Sequence, residues 1–390
     1  MMNTSENETF IPQNGAKIFI KDSIKDTILH FFKDTLEKKY FDAVLIPVKV
    51  PAGDSYSWIL IEDISLLKDA NPIAPIMTVQ GATALSKFTK KGKGSLKVAV
   101  IFRPCEIRAT IELAKLEQVD LEKVYLFSFD CPGSLPILDY IQDPEKGEKT
   151  FSSFYADDNW TNESIKPVCQ MCTDFSLTSS DLHFGIAGMN KDQILLIPNS
   201  KKGEDVLNDL KIKSGESLSD WQKKIDEITQ KKEKIKAETF QKIKPQVEGL
   251  DNLIETFSKC ISCHNCMSVC PICYCRQCYF DSEVSKFNSD NYFQRAEKRG
   301  GLRFPPDNIL FHSGRMTHMN LSCVSCGMCE DACPVSIPVA QIFSYVGDKT
   351  QKAFEYQPGR NRGEPLPLKT YQTEELQEIK KLVNDSFGQE

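Results

Sequence analysis

Between Cys260 and Cys278 the sequence reads CISCHNCMSVCPICYCRQC, with seven cysteines in nineteen positions. Four of them, Cys260, Cys263, Cys266 and Cys270, fall in the spacing C-x2-C-x2-C-x3-C-P. A second run, CVSCGMCEDACP, repeats that spacing with Cys323, Cys326, Cys329, Cys333 and Pro334. Nothing else in the chain limits its fold as much. Three thiolates on one tight loop reach three corners of an iron–sulfur cube, and the chain then turns too sharply to supply the fourth. A proline after the fourth cysteine helps end the loop, because its ring fixes φ.

Two such runs are the dicluster ferredoxin pattern, in which the fourth cysteine of each run crosses to the other cluster. That rule assigns Cys260, Cys263, Cys266 and Cys333 to one 4Fe-4S cluster. It gives Cys323, Cys326, Cys329 and Cys270 to a second. Zinc is the lesser reading, since tetrahedral zinc sites favour paired C-x2-C knuckles. The segment 271–322 between the runs exceeds what a minimal ferredoxin needs and reads as a docking or covering element. Its His312 and His318 read as structural or surface residues rather than ligands.

The chain has 390 residues, room for two or three domains, and its 41% hydrophobic content suffices for a real core. A net charge of -6 offers no basic footprint for nucleic acid. The polar start MMNTSENETF lacks a signal peptide's apolar stretch, and no run reaches membrane-span length, so a soluble cytoplasmic protein is expected. In a reducing compartment fifteen cysteines point to metals and redox chemistry rather than disulfides, and an odd count cannot pair fully.

The front half has α/β periodicity. Residues 23–41 carry a helical pattern, 43–48 and SWILIED read as strands, and VQGATALSKFTKKG reads as a helix after the proline-punctuated NPIAP. KVAVIF (97–102), EIRATIELAKLEQ (106–118) and VYLFSF (124–129) then form a βαβ unit, which implies parallel strands and a right-handed crossover. From 203 the composition turns Lys/Glu-rich and strandless. DWQKKIDEITQKKEKIKAETFQKI sets Trp221, Ile225, Ile228, Ile235, Phe240 and Ile243 near one helical face, as a connector helix packed on one side. Pro245 and Gly249 are expected to break it. The tail segment QPGRNRGEPLPLKTY reads as extended over a neighbouring surface.

Four more cysteines lie in the front half. Cys105 follows the first βαβ strand and Cys131 the second, so both thiols belong at one sheet edge, where open α/β sheets bind ligands. VCQMCTDF supplies Cys169 and Cys172. Together they suffice for a third 4Fe-4S cluster, although a C-x2-C pair also suits zinc or redox exchange, and a lone cysteine packs as a small hydrophobe. Cys273, Cys275 and Cys278 are left over. They hold a separate metal or pack as plain thiols, readings preferred to replacement of Cys270.

RPCEIRATIELAKL, DCPG, CTDF and the two cysteine runs together resemble the beta subunits of coenzyme F420 (deazaflavin)-dependent hydrogenases and formate dehydrogenases, the formate dehydrogenase type most of all. The resemblance implies a front domain holding FAD and a 4Fe-4S cluster, with Cys105, Cys131, Cys169 and Cys172 as the cluster ligands. Hydride would pass between the deazaflavin and FAD, and single electrons through three clusters to a partner catalytic subunit. It sets Gly81, Ala82 and Thr83, a small-residue helix start, beside the flavin, where such an end suits a phosphate or a ring edge; ordinary helix packing is the alternative. Arg103 and Arg108 would favour reduced flavin or cluster charge, or else pair at the surface with Glu106 or Glu112. No complete GxGxxG or GxxxxGK[ST] is present.

The expected organisation is a flavin and cluster α/β domain (1–202), a helical connector (203–258), a dicluster ferredoxin-like domain (259–346) and a tail (347–390). The expected function is an oxidoreductase electron-transfer subunit, its partner belonging to a hydrogenase, formate dehydrogenase or heterodisulfide-reductase-like complex. A flavin-free polyferredoxin-like adaptor is the alternative.

Overall fold

A computed structural model describes residues 10–367 except 178, 190–191, 276, 283–287 and 302–306. Its strands are β1 (Asn14–Phe19), β2 (Ala43–Lys49), β3 (Tyr56–Ile61), β4 (Val98–Ile101), β5 (Val124–Phe129), β6 (Leu182–Gly185), β7 (Gln193–Pro198) and β8 (Glu216–Ser217). They form one sheet in the order β3-β2-β4-β5-β6-β7-β1-β8. The central β2, β4, β5 and β6 run parallel. The flanking strands join antiparallel.

Helices α1 (Ile24–Glu37), α2 (Gly81–Thr89) and α3 (Pro104–Lys115) cover the sheet, followed by α4 (Ile137–Gln142), α5 (Pro144–Ala156), α6 (Pro167–Gln170) and α7 (Lys201–Asp209). Apolar spacing sets the inward faces. In α1, Ile28, Phe31, Phe32 and Leu36 are buried, and the Ser23 hydroxyl starts the helix by accepting the Asp26 N–H at 3.1 Å. Phe32 meets Phe127 of β5 edge-on at 5.0 Å. The predicted βαβ unit is β4–α3–β5, with Val98 opposite Val124. Its helix begins two residues early, because Pro104 suits the first helical position and Glu106 reaches back to the Arg103 N–H at 2.9 Å.

The rear is helical: α8 (Ser219–Val247), α9 (Leu250–Phe257), α10 (Asn265–Ser268), α11 (Ser289–Arg299), α12 (Asp307–Met319), α13 (Met328–Asp331) and α14 (Val339–Ala353). Pro245 lies inside α8 without ending it, and Gly249, at φ +92°, makes the break instead. Nor is the chain after 203 strandless. β8 pairs with β1, and Val206, Leu207, Trp221, Ile225 and Ile228 share one core with Phe127 and Phe184.

The segment after α14 folds back onto α3. The Tyr356 hydroxyl and the Gly359 N–H donate to Glu112 at 2.5 and 2.8 Å, and Arg108 Nε donates to the Pro358 carbonyl at 2.8 Å. Gly359 (φ +73°) is needed here, since a Cβ would lie 2.4 Å from Arg108 Cα. Residues 368–390 lie outside the described part.

The end of β5 is fixed by Asp130, which is fully buried. It accepts hydrogen bonds from Trp221 Nε1 at 2.8 Å, from the Ile186 and Ala187 N–H groups at 2.6 and 2.9 Å, and from the Ser176 hydroxyl. His183 Nε2 lies at 2.8 Å. Burial opposes the charge, but His183 and these donors outweigh it and hold the carboxyl below the usual range. Asp130→Ala would strand several buried donors at once, and should cost about 3–5 kcal/mol of stability in urea unfolding. An unchanged unfolding midpoint would contradict this role.

Candidate metal centres

The front thiols gather where parallel strands end. Cys105 opens α3 just past β4, Cys131 follows β5, and Cys169 and Cys172 lie in and just after α6. Cys105 interacts electrostatically with Cys131 and Cys169, and Cys172 with Cys169. Gly133 (φ +127°) permits the approach, because a Cβ there would sit 3.0 Å from the Cys169 Cβ and 2.7 Å from Ile165. Burial pushes Cys131 up to about 11 and Cys172 up to about 12. Such thiols are neutral at pH 7, so metal loading would release their protons.

Two buried cations attend this group. Lys232 of α8 is fully buried and donates to the Cys169 carbonyl at 2.7 Å. Burial lowers its pKa against the opposing pull of Cys172, Cys169 and Cys131. Arg103 is also buried and donates to the Ala74 carbonyl. Burial works against its charge, but Cys131, Glu106 and Cys105 favour it and the net shift is upward. Arg103 is thus no surface residue, while Arg108 pairs with Asp174 at 2.7 Å.

The rear thiols divide across the two runs. One cavity is lined by Cys323, Cys326 and Cys329 of the second run together with Cys270 of the first. Ile272, Met319, Val324, Met328 and Phe343 make its wall apolar, and Arg315 is the charged residue on it. Cys266, by contrast, interacts with Cys260, Cys263 and Cys333. Left-handed backbone at Ser262, His264, Ser325 and Gly327 (φ +53°, +58°, +55° and +81°) gives both runs the same tight loop. Burial raises Cys266 to about 11 and Cys326 to about 12. Among the described residues no three His, Cys, Asp or Glu converge as on a single ion. Thiols around a dry space beside a fixed cation fit a four-iron cluster, whose corners take thiolates.

Front and rear groups adjoin. Lys166, which caps α6, forms a buried ion pair with Asp331 of α13 at 2.7 Å, and Asp331 also accepts the Ile137 N–H at 3.1 Å. Gly327 lies so close to α6 that a Cβ would meet Val168 at 2.7 Å. Cys169 and Cys329 pack on one small core of Val168, Met171 and Ala340. Cys105 accordingly interacts with Cys326.

The other predicted residues fall elsewhere. The Gly81 N–H donates to Glu106 at 2.8 Å, the Ala82 N–H to the Gln80 side chain at 2.7 Å, and the Thr83 N–H to the Gln80 carbonyl at 2.9 Å. Gly81 is small because a Cβ would meet Phe102 at 2.7 Å and Trp58 at 3.0 Å. Gly81 and Ala82 therefore offer no free N–H to a flavin phosphate, while the Thr83 hydroxyl is buried without a hydrogen-bond partner. His312 is buried, stacks on Phe257 at 3.9 Å and places Nε2 3.4 Å from Cys260 Sγ, whereas His318 is exposed. Burial, then Arg315 and His264, lower His312 to about 3, so it is neutral. Cys273 hydrogen-bonds Cys270 and contacts Met319, Cys278 contacts Met267, and Cys275 is exposed.

Lys232 and Arg315 carry no motif, yet the sequence holds a signal for both. Trp221, Ile225, Ile228, Lys232 and Ile235 step along α8 by 4, 3, 4 and 3 residues, and Phe311, Arg315 and Met319 step along α12 by 4. A cation within an apolar stripe asks for a buried partner.

Residues 95–224 match the family model for the C terminus of the beta subunit of coenzyme F420 hydrogenase/dehydrogenase, and residues 256–337 match a 4Fe-4S dicluster domain. The F420-dependent formate dehydrogenase subunit beta of Methanocaldococcus jannaschii is 26% identical over 368 residues, covering 86% of this chain and 91% of that protein. The F420-dependent formate dehydrogenase 1 subunit beta of Methanococcus maripaludis is 27% identical over 398 residues, covering 92% and 97%. Among solved structures, a chain of the F420-reducing nickel–iron hydrogenase complex from Methanosarcina barkeri aligns with TM-score 0.44 and 12% identity, over 64% of this chain and 97% of that one. Residues 95–224 therefore carry the C-terminal region found in coenzyme F420 hydrogenase and dehydrogenase beta subunits, and residues 256–337 a 4Fe-4S dicluster domain.

Proposed function

We propose that the chain is the iron–sulfur electron-transfer subunit of an F420-dependent formate dehydrogenase or related complex, carrying single electrons through three 4Fe-4S clusters to or from a catalytic partner subunit. The observation that carries this reading is the shared cavity, where Cys270 of one run meets Cys323, Cys326 and Cys329 of the other. These four would hold one cluster. Cys260, Cys263, Cys266 and Cys333 would hold the second, and Cys105, Cys131, Cys169 and Cys172 the third. Each cluster supplies one-electron exchange. The protein's own part is to exclude water, keep the thiolates in place and set fixed charges beside them.

The packing of Cys169 and Cys329 against one small core supports an order of front group, then the Cys323 group, then the Cys260 group. Formate or hydrogen chemistry itself would lie on the partner. Hydride exchange with a deazaflavin also needs an organic two-electron cofactor beside the clusters, and FAD is the one the resemblance implies. Glu106 and Gln80 already take the Gly81 and Ala82 N–H groups, so these two donors would not hold its phosphate. The same observation favours a second reading, a flavin-free adaptor that exchanges single electrons at both ends.

Anaerobic reconstitution separates these readings. The protein should bind roughly twelve irons with matching sulfide and show a broad iron–sulfur absorption shoulder. Added flavin bands would select the hydride-coupled form, and the shoulder alone the adaptor. A colourless protein holding one or two zinc ions would overturn both.

Cys169→Ser should lower the iron content by up to about four per chain and leave the electron paramagnetic resonance signals of the rear clusters in place. Unchanged iron and unchanged spectra would make the front thiols structural.

A further inference from the structure

Arg315 lies on α12, in the segment between the cysteine runs, and belongs to neither motif. Its side chain is buried. Nη1 donates to Cys266 Sγ at 3.0 Å, and Nη2 donates to the Cys266 carbonyl at 3.0 Å. The same side chain lines the cavity formed by Cys270, Cys323, Cys326 and Cys329. It lies over Phe343 at 4.8 Å and Phe311 at 5.6 Å, the apolar side of its enclosure. Among the described residues no carboxylate forms an ion pair with it, and Nε has no hydrogen-bond partner.

A guanidinium removed from water costs several kcal/mol unless opposite charge compensates it. Here the available compensation is sulfur, on two sides. Cys266 belongs to one four-thiol set, and the cavity thiols belong to the other. Arginine stays protonated at any physiological pH, so this charge is permanent.

We infer that Arg315 is a positioning residue shared by the two rear clusters, a fixed cation that stabilises the reduced state of both. The inference rests on reading the two thiol sets as 4Fe-4S clusters. Reduction of such a cluster adds one electron, makes and breaks no bond, and leaves the cluster one charge more negative. A cation in the same dry space favours that state, because charges attract far more strongly there than in water. One guanidinium bonded to Cys266 and lining the cavity of the other set would raise both potentials together and leave the driving force between them unchanged. The alternative is a purely structural role, in which Arg315 only ties α12 to the Cys266 loop.

The test uses the full chain, reconstituted anaerobically, as wild type, Arg315→Gln and Arg315→Lys. Iron is counted per chain, and each cluster's midpoint is read by a redox titration followed by electron paramagnetic resonance. In the Gln variant, with iron retained, both rear midpoints should fall. The expected size is about tenfold in each reduction equilibrium, or about 59 mV for a one-electron couple. The front midpoint should stay put, and the Lys variant should return both rear midpoints toward wild type. Unchanged rear midpoints in the Gln variant would overturn the inference, and so would a shift in only one of them. If the Gln variant loses its rear iron, the Lys variant must keep it at near-wild-type midpoints; loss of iron in both would make Arg315 a folding residue. Failure of the cluster reading would look different, because the wild type itself would then lack the rear iron.

Discussion

The structure depends on keeping a line of thiols out of water while setting positive charge beside them. All fifteen cysteines are free of disulfides, and most are partly or fully shielded. Bare burial makes a thiolate unfavourable, as the raised values of Cys131, Cys172, Cys266 and Cys326 indicate. Each group therefore sits beside a cation from an element that carries no cysteine motif: Lys232 from α8 and Arg315 from α12. The long charged helix and the segment between the runs gain a purpose from this. Each delivers one positive charge into an apolar setting that would otherwise reject it.

The second dependence is the junction of the sheet domain and the dicluster domain. Lys166 and Asp331 form an ion pair that is almost wholly buried, a poor source of net stability but a strong penalty for misalignment. Gly327, which cannot carry a Cβ without striking Val168, holds the second cysteine loop against α6. The returning segment locks the far side, where Glu112 and Arg108 of α3 bind Tyr356, Pro358 and Gly359. Electron transfer through a protein needs fixed distances rather than flexible domains, and these contacts supply them.

Much of this is legible in the sequence, and what is not has physical causes. The crossed pairing of Cys270 with the second run follows from spacing, because a tight loop offers three thiolates and no more. The βαβ unit is legible because buried parallel strands are continuous apolar runs. β8 is two residues long, too short to carry a period, and β1 and β6 are short and alternate weakly, whereas ILLI in β7 is the same kind of continuous apolar run as the central strands. Pro245 falls in the last turn of α8, where it removes one hydrogen bond to the Gln241 carbonyl but only two helical residues follow it. Gly81 illustrates the opposite error. A glycine at a helix start suggests a phosphate, but only the fold reveals that Phe102 and Trp58 occupy the space and Glu106 takes the donor. Lys232 and Arg315 show in the sequence only as cations within the apolar stripes of α8 and α12, and packing alone reveals which thiols they face.

The central claim is that thiols from the two runs interleave and that the front group joins them in one chain of centres. Anomalous scattering at the iron edge from anaerobically grown crystals measures this directly. Three four-iron peaks in a row are expected, the middle one bounded by Cys323, Cys326, Cys329 and Cys270 and lying between the Cys105 group and the Cys260 group. A middle peak whose fourth ligand is Cys333, or a front peak adjoining the Cys260 group instead, would contradict it.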